Sequence, residues 1–361
     1  MSEEKGLRTG FTTGTCATTA AKAGIECILQ QTRIEKIPVI LPNRSIVEIN
    51  ITSCKFDEKS AFCSVIKDGG DDPDVTHGAE IQVEVKFTNN SGTIEIKGGM
   101  GVGVVTKPGL GLELNKPAIN PTPKKMIREN IQNSLGEILN EKGVSVMITV
   151  PDGKEIGLKT DNPRLGIING ISILGTSGIV KPFSTAAYAA SIRQSIDVSR
   201  AMNEDVVILT TGGRSETFAR KIITDKPDHA FIQMGDFSGY TIQQCAKKNI
   251  KKAYIVGFIG KLAKIAAGVK QTHVKGSKID KEFLAKLADS CGATSDIIEQ
   301  IKKANTARHI MEIVINDKIE NFFDKICLKV YEQMRDHSEN KVDIDVILFN
   351  FDGDILARYN V

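Results

Sequence analysis

The sequence predicts an α+β domain over residues 1–163, followed over 164–361 by an α/β domain of three layers on a mainly parallel sheet. Three observations carry that expectation. Short β-branched runs crowd the first half, strand-turn-helix units recur in the second, and 361 residues suit two domains at roughly 150 residues each. The first half opens with an Ala-rich helix over Thr15 to Gln31. Ile46 to Thr52, Ala61 to Ile66, Glu80 to Phe87, Thr93 to Ile96 and Val144 to Val150 then alternate as strands do. Between the last two, Pro121-Thr122-Pro123 is an entry signal for a helix running to about Glu141. In the second half Ile167 to Leu174, Asp205 to Thr210, His229 to Met234 and Lys252 to Phe258 are apolar strands. Helical stretches such as Ser184 to Met202, Thr241 to Asn249 and Leu262 to Val269 separate or follow them, the alternation that builds a parallel sheet. A helical run from about Asp280 to Arg335 precedes a last strand, Val342 to Phe349.

Composition excludes several function classes. Lys and Arg number 47 against 44 Asp and Glu, a formal charge of +3, far short of the basic excess a phosphate-backbone binder needs. Aromatic residues are only 5% and Trp is absent, which leaves little for stacking bases, so no nucleic-acid partner is expected. The most apolar uncharged run, Leu165 to Val180, is shorter than the roughly 20 residues a spanning helix needs and carries Asn169, Ser172, Thr176 and Ser177. No membrane partner is expected. The start, MSEEKGLRTG, has no apolar signal core, and seven scattered Cys without a C-x-x-C pair read as reduced thiols. Together these predict a cytoplasmic protein without a disulfide framework or a zinc spacing.

Candidate chemistry gathers at glycine turns. Open α/β sheets bind ligands beyond the carboxyl ends of their strands, where helix N-termini point free N–H groups outward. Three such turns are Ile173 to Gly178, Thr211 to Glu216 and Met234 to Gly239. Any one could simply close a strand-to-helix connection, but the three together, each with hydroxyl or charged side chains, suggest a nucleoside-like ligand. Gly99 to Gly103 looks like a dinucleotide fingerprint yet leads into Val104 to Pro108 rather than a helix, so it fails that motif's context. Lys67 to Gly78 packs four carboxylates and His77 into one loop, and such density needs a cation, Lys or Arg, or ligand hydroxyls to neutralise it. Leu7 to Ala17 places hydroxyls and glycines before a helix, an anion-binding start by composition, with Cys16 in the first turn.

Taken together these segments resemble the cobalt-precorrin-5B (C-1)-methyltransferase family, CbiD. The resemblance rests on LRTGFTTGTCA (7–17), KDGGDDPDVTHG (67–78), GVGVVTKPGLGL (101–112) with AINPTPKKMI (118–127), and GISILGTSGIVKP (170–182). It continues through TTGGRSE (210–216), QMGDFSGY (233–240), GKLAKIAAG (260–268) with Thr272-His273, and ANTARH (304–309). Lys125 stands where the family pattern leads one to expect Arg.

The resemblance implies methyl transfer from S-adenosylmethionine to C-1 of a cobalt-containing corrin precursor, with no metal held by the protein itself. It points to Asp72, Asp74, Gly175, Thr176, Gly212, Gly213, Glu216, Gly235 and Asp236 for the cofactor. For the substrate's rim of carboxylates it points to Arg8, Thr12, Thr13, Lys67, Lys107, Lys124, Lys125, Arg214, Lys261, Lys264, His273, Arg308 and His309. No catalytic side chain is singled out, because transfer to carbon depends on positioning and dryness rather than on a protein nucleophile. The competing expectation is a non-catalytic corrinoid carrier of the same pathway. Homo-oligomerisation and transient contacts with other enzymes of that pathway are compatible with either.

Overall fold

The computed structural model describes residues 6–273 and 276–360. The opening residues 1–5, which contribute to the reading of the N-terminus above, lie outside them. The chain divides into two compact units, Met1–Ser184 and Thr185–Val361. The division falls about twenty residues beyond the 163/164 boundary expected from sequence, for a reason given below.

The first unit is built on β1 (Ser53–Phe56), β2 (Ser60–Ile66), β3 (Glu80–Thr88), β4 (Ile94–Gly98) and β5 (Gly143–Thr149), in the spatial order β1-β2-β3-β5-β4. Neighbours are antiparallel except β5 and β4, which run parallel. Helix α1 (Thr13–Gln30) lies on this sheet and α2 (Pro121–Leu135) lies on α1. Small residues set how close α1 comes. Ala17, Ala20, Ala21 and Ala23 are fully buried, and a Cβ at Gly24 would stand 2.6 Å from Val85 Cγ2 on β3. Ile25, Val83, Val85, Ile127, Val146 and Ile148 fill the core behind it, each worth roughly 1.5–3 kcal/mol of transfer free energy. The expected helix to Glu141 ends as an α-helix at Leu135, because Gly136 takes φ 54° and a 3₁₀ turn, Gly136–Asn140, follows.

The run Ile167 to Leu174 is not a strand of the parallel sheet. Asn169, at φ 61°, splits it into Ile167–Ile168, antiparallel to Val104–Val105, and Gly170–Ile171, parallel to Gly101–Val102. A Cβ at Gly170 would fall 2.3 Å from the Gly101 carbonyl oxygen, so this contact requires glycine. Residues 167–171 therefore pair with the glycine-rich loop of the first unit and Ile179–Val180 with Gly10–Phe11, which moves the boundary.

The second unit carries β6 (Val206–Thr210), β7 (Phe231–Gln233), β8 (Lys252–Phe258), β9 (Asp343–Phe349) and β10 (Ile355–Tyr359), ordered β7-β6-β8-β9-β10. The first four are parallel and β10 is an antiparallel edge. Alternate residues face two separate cores. Val207, Leu209, Ile255, Val346 and Leu348 point to one, Ile208, Val256, Ile347 and Phe349 to the other. The smaller core is closed by α4 (Gly213–Ile222) through Phe218 and Ala219. The larger takes α3 (Thr185–Ala201), α5 (Ser238–Lys247), α6 (Ile259–Ala266) and the C-terminal helices. The long helical run expected from Asp280 breaks into α7 (Lys281–Asp289), α8 (Ser295–Lys303), α9 (Ala307–Asn316) and α10 (Phe322–His337). Gly292 at φ 82° and Lys318 and Asn321 at φ 53° and 61° interrupt it, and Asp280 and Thr306 cap new starts.

Candidate functional site

In the first unit three sequence motifs meet before α1. The Phe11 N–H donates to Asp68 O at 2.7 Å, Asp71 N–H to Arg8 O at 2.9 Å, and Gly14 N–H to Leu174 O at 2.9 Å. Gly10 has room for no side chain, since a Cβ there would lie 2.1 Å from the Gly69 carbonyl carbon. The acidic loop is neutralised by the protein's own groups. Arg8 forks onto Asp68, Lys67 meets Asp74 at 2.6 Å, and Asp72 accepts the Phe183 N–H at 2.9 Å. The hydrogen bond from Arg8 holds the Asp68 carboxyl below its usual range. Burial pushes Asp74 up, but hydrogen bonds from Lys67 and Thr76 and the Lys67 charge outweigh it, and the net is downward. His77 Nδ1 accepts the Gly69 N–H at 3.0 Å, which leaves its proton on Nε2 in the neutral ring.

Several of the residues expected at a ligand are engaged by the protein itself here. Thr12, Thr13 and Lys67 are buried and already engaged. Thr12 caps α1 by accepting the Thr15 N–H, Thr13 donates to Ser172 O and accepts the Leu174 N–H, and Lys67 serves Asp74. The start of α1 is thus closed by its own protein groups rather than open to an anion. Both oxygens of Asp74 are taken, one by Lys67 and one by Thr76, so this carboxylate braces the loop. Gly175 abuts the Thr12 side chain, where a Cβ would come within 2.2 Å of Oγ1. Thr176 is exposed beside it. Lys107 Nζ reaches Arg164 O at 3.1 Å, while Lys124 and Lys125 lie in the first turns of α2, Lys125 3.8 Å from Glu129. Cys16 is fully buried, and burial pushes its thiol up to about 12, the opposite of an activated nucleophile.

The second unit holds a cavity of about 470 Å³ at the carboxyl ends of β6 and β8. It is lined by Thr211 to Ser215, Asp236, Phe258, Gly260, Lys261, Lys264, Thr272, His273, Ile279 and Phe351. Helices α4 and α6 both begin here. Gly212 and Gly213 present bare backbone to the space. A Cβ at Gly212 would meet nothing within 4 Å, and one at Gly213 only Gln233 Nε2 at 3.9 Å. Asp236 is the acid of the cavity, accepting from the Thr272 hydroxyl at 3.0 Å with Lys261 Nζ at 3.2 Å. Lys261 also donates to Thr211 O at 2.7 Å. Phe258 and Phe351 stack at 5.3 Å, with Arg214 5.4 Å over the first ring and Arg308 4.7 Å over the second. The Arg214 guanidinium also donates to Phe351 O at 2.5 Å.

The cavity gathers Gly212, Gly213 and Asp236 from the cofactor expectation and Arg214, Lys261, Lys264 and His273 from the substrate expectation. It leaves others aside. Glu216 is buried and bound to Arg220 at 2.8 Å, and Gly235 is closed against Tyr188, whose hydroxyl would lie 2.5 Å from a Cβ. Lys264 is a brace, its buried ammonium donating to Thr272 O and Ser277 O at 2.9 Å each, and desolvation lowers its pKa. His309 lies in the first turn of α9, where Thr306 caps its N–H. Phe258 and Phe351 were not foreseen as site residues, although each stands at or just beyond a strand's carboxyl end. A second depression of similar volume, around Asp57 to Ser60, Lys86 and Phe87, brings no such groups together.

The fold and cavity define a chain whose second unit offers a glycine-floored pocket of nucleoside size, a few charged groups set against an aromatic wall, at the carboxyl edge of a parallel sheet. Residues 1–182 match the CbiD family model and residues 271–360 match that of the CbiD C-terminal domain. The chain belongs to the CbiD family. It is 45% identical over 356 residues to the cobalt-precorrin-5B C(1)-methyltransferase of Priestia megaterium, covering 99% of this chain and 97% of the relative. It is likewise 45% identical to the protein of that name from Leptospira interrogans serovar Lai, covering 98% and 96%. The crystal structure of the cobalamin biosynthesis protein CbiD from Archaeoglobus fulgidus is 31% identical over 73% of this chain and 81% of its own, with a TM-score of 0.39.

Proposed function

We propose that this chain methylates C-1 of cobalt-precorrin-5B in cobalamin biosynthesis, with S-adenosylmethionine as donor. The observation that carries the reading is 45% identity, across 99% of the chain, to a relative named for that reaction. The cavity of the second unit supports the choice of donor. Its floor at Gly212 and Gly213 leaves space a side chain would occupy, and Asp236 offers an acid to an ammonium or ribose hydroxyl. When bound, S-adenosylmethionine supplies the methyl as an electrophile and its sulfur keeps the bonding pair.

The chain's own residues then orient and exclude water. Backbone at Gly212 and Gly213 permits close approach, Asp236 is held beside Lys261, and the Phe258–Phe351 stack forms an apolar wall held by two guanidinium groups. No side-chain nucleophile is required. Within the second unit, Lys261, His273, Arg308 and His309 are the groups we assign to the substrate's carboxylates. We place the protein in the cytoplasm. Among the described residues, no helix is long and apolar enough to cross a membrane.

The test is anaerobic turnover of cobalt-precorrin-5B with S-adenosylmethionine, read by mass spectrometry as one added methyl, alongside calorimetry with S-adenosylhomocysteine. Binding of the corrinoid without methyl gain and without heat from S-adenosylhomocysteine would identify a carrier instead.

A further inference from the structure

The fold brings together three thiols that are far apart in sequence. Cys27 lies near the end of α1, while Cys54 on β1 and Cys63 on β2 are direct cross-strand partners. Their sulfurs all lie within 4.8 Å of one another, Cys27 and Cys54 at 2.9 Å. Cys27 and Cys63 are fully buried and Cys54 is half-buried, so the group has two closed positions and one facing outward. The other four cysteines belong to no such group among the described residues.

We propose that Cys27, Cys54 and Cys63 form a binding site for one thiophilic d¹⁰ metal ion of the Zn²⁺ class. Three mutually adjacent sulfurs are a donor set for soft metals, whose metal–sulfur bonds of about 2.3 Å put tetrahedral ligands roughly 3.8 Å apart. That spacing falls between the 2.9 Å of the closest pair and the 4.8 Å bound on the group, so side-chain rotation suffices. A disulfide would employ only two of the three and leave the last sulfur without a role. Binding is not a redox step. Each thiol releases its proton to solvent and donates a sulfur pair to the cation, and three thiolates on a divalent ion leave one net negative charge. Arg33 offers a positive charge near Cys54. The fourth position opens on the Cys54 side, to water. The site would pin the end of α1 to the β1–β2 hairpin, roughly 21 Å along the helix from its start at Thr13. It stands apart from the methyl-transfer reading and from the cavity that supports it.

The full chain, reduced and stripped with chelator, is titrated with Cd²⁺ and followed by the ultraviolet thiolate-to-cadmium charge-transfer band. The band is expected to saturate at one equivalent and to be competed by Zn²⁺. Cys54→Ser, at the half-buried position where folding is least at risk, should weaken Cd²⁺ binding by at least about ten-fold. Cys54→Ala should do the same, and Cys291→Ser, outside the group, should leave it unchanged. A chain that is folded by circular dichroism, has all seven thiols free and shows no saturable band overturns the proposal. So does a band that persists in Cys54→Ser and Cys63→Ser, or a Cys27–Cys54 disulfide mapped in the chain as purified without reductant.

Discussion

The ammonium of Lys67, only 1% exposed, sits 2.6 Å from the Asp74 carboxylate and ties the two ends of the acidic loop together. Lys67 N–H also donates to Ala79 O, and the Lys67 carbonyl accepts the Gly78 N–H, so the loop closes on both its backbone and its one buried charge. Because Arg8 and Asp71 N–H anchor the chain start to this loop, the pair supports the hub in front of α1.

Asp74→Ala leaves that ammonium buried without its counter-charge, a situation that costs about 3–5 kcal/mol. Urea unfolding should show the midpoint falling accordingly. Replacing both members, Lys67→Met with Asp74→Leu, should recover much of the loss. Equal stability of wild type and Asp74→Ala would mean the pair carries no weight in the fold.

Acid sensitivity follows from the same carboxylates. Asp68 and Asp74 have folded values below the ordinary range, so on acidification the unfolded chain takes up their protons first. Their contribution is whole above the unfolded value near 3.9 and is lost as pH drops through the folded one. Exposed Asp68 adds little of this, being screened by solvent. Melting temperature should therefore decline between about pH 5 and pH 2, and the decline should be shallower in Asp74→Asn. Identical acid limbs for the two proteins would remove Asp74 as a source.

How much of this was legible in the sequence depends on the range of the contact concerned. Thr211 to Glu216 was recognisable as a strand-to-helix turn at the sheet's carboxyl edge because strand, glycine pair and helix are consecutive, and parallel sheets place such turns at one edge. The acidic loop announced that it needed neutralising. Its partners did not, because Arg8 and Asp68 are sixty residues apart and only the docking of two loops pairs them. Ile167 to Leu174 was misread since an apolar run carries no period to separate a strand from broken pieces, and Asn169 at positive φ decides the matter. The thiol group was hidden for another reason: Cys54 and Cys63 meet through strand register, and Cys27 through helix packing, neither of which leaves a metal-like spacing.

Gly213→Leu tests the cavity with little disturbance of the fold. The position is the first of α4, and a Cβ there finds its nearest neighbour at 3.9 Å, so the new side chain projects into the ligand space. Calorimetry should show S-adenosylhomocysteine binding weakened by at least about ten-fold, roughly 1.4 kcal/mol, with the melting temperature nearly constant. Unweakened binding would move the cofactor out of this cavity.

Cys16→Ser should keep substantial turnover. The thiol is enclosed, burial pushes it up to about 12, and transfer to a ring carbon calls for no covalent enzyme intermediate. Steady-state assay of a folded variant decides this, and complete loss of turnover would mean that the sulfur has a chemical role.

Arg214 separates charge from shape within the cavity. Its guanidinium both donates to Phe351 O at 2.5 Å and lies over the Phe258 ring, so it holds the aromatic wall as well as supplying a cation. Arg214→Ala should lower kcat/KM by about thirty-fold, near 2 kcal/mol, the scale of a charge-assisted contact. Arg214→Lys returns the charge but neither the planar fork nor the stacking face, so it should recover only part of that loss. If lysine restored full kcat/KM, charge alone would account for the residue, and if alanine left kcat/KM unchanged, the Phe258–Phe351 wall would not depend on Arg214 at all.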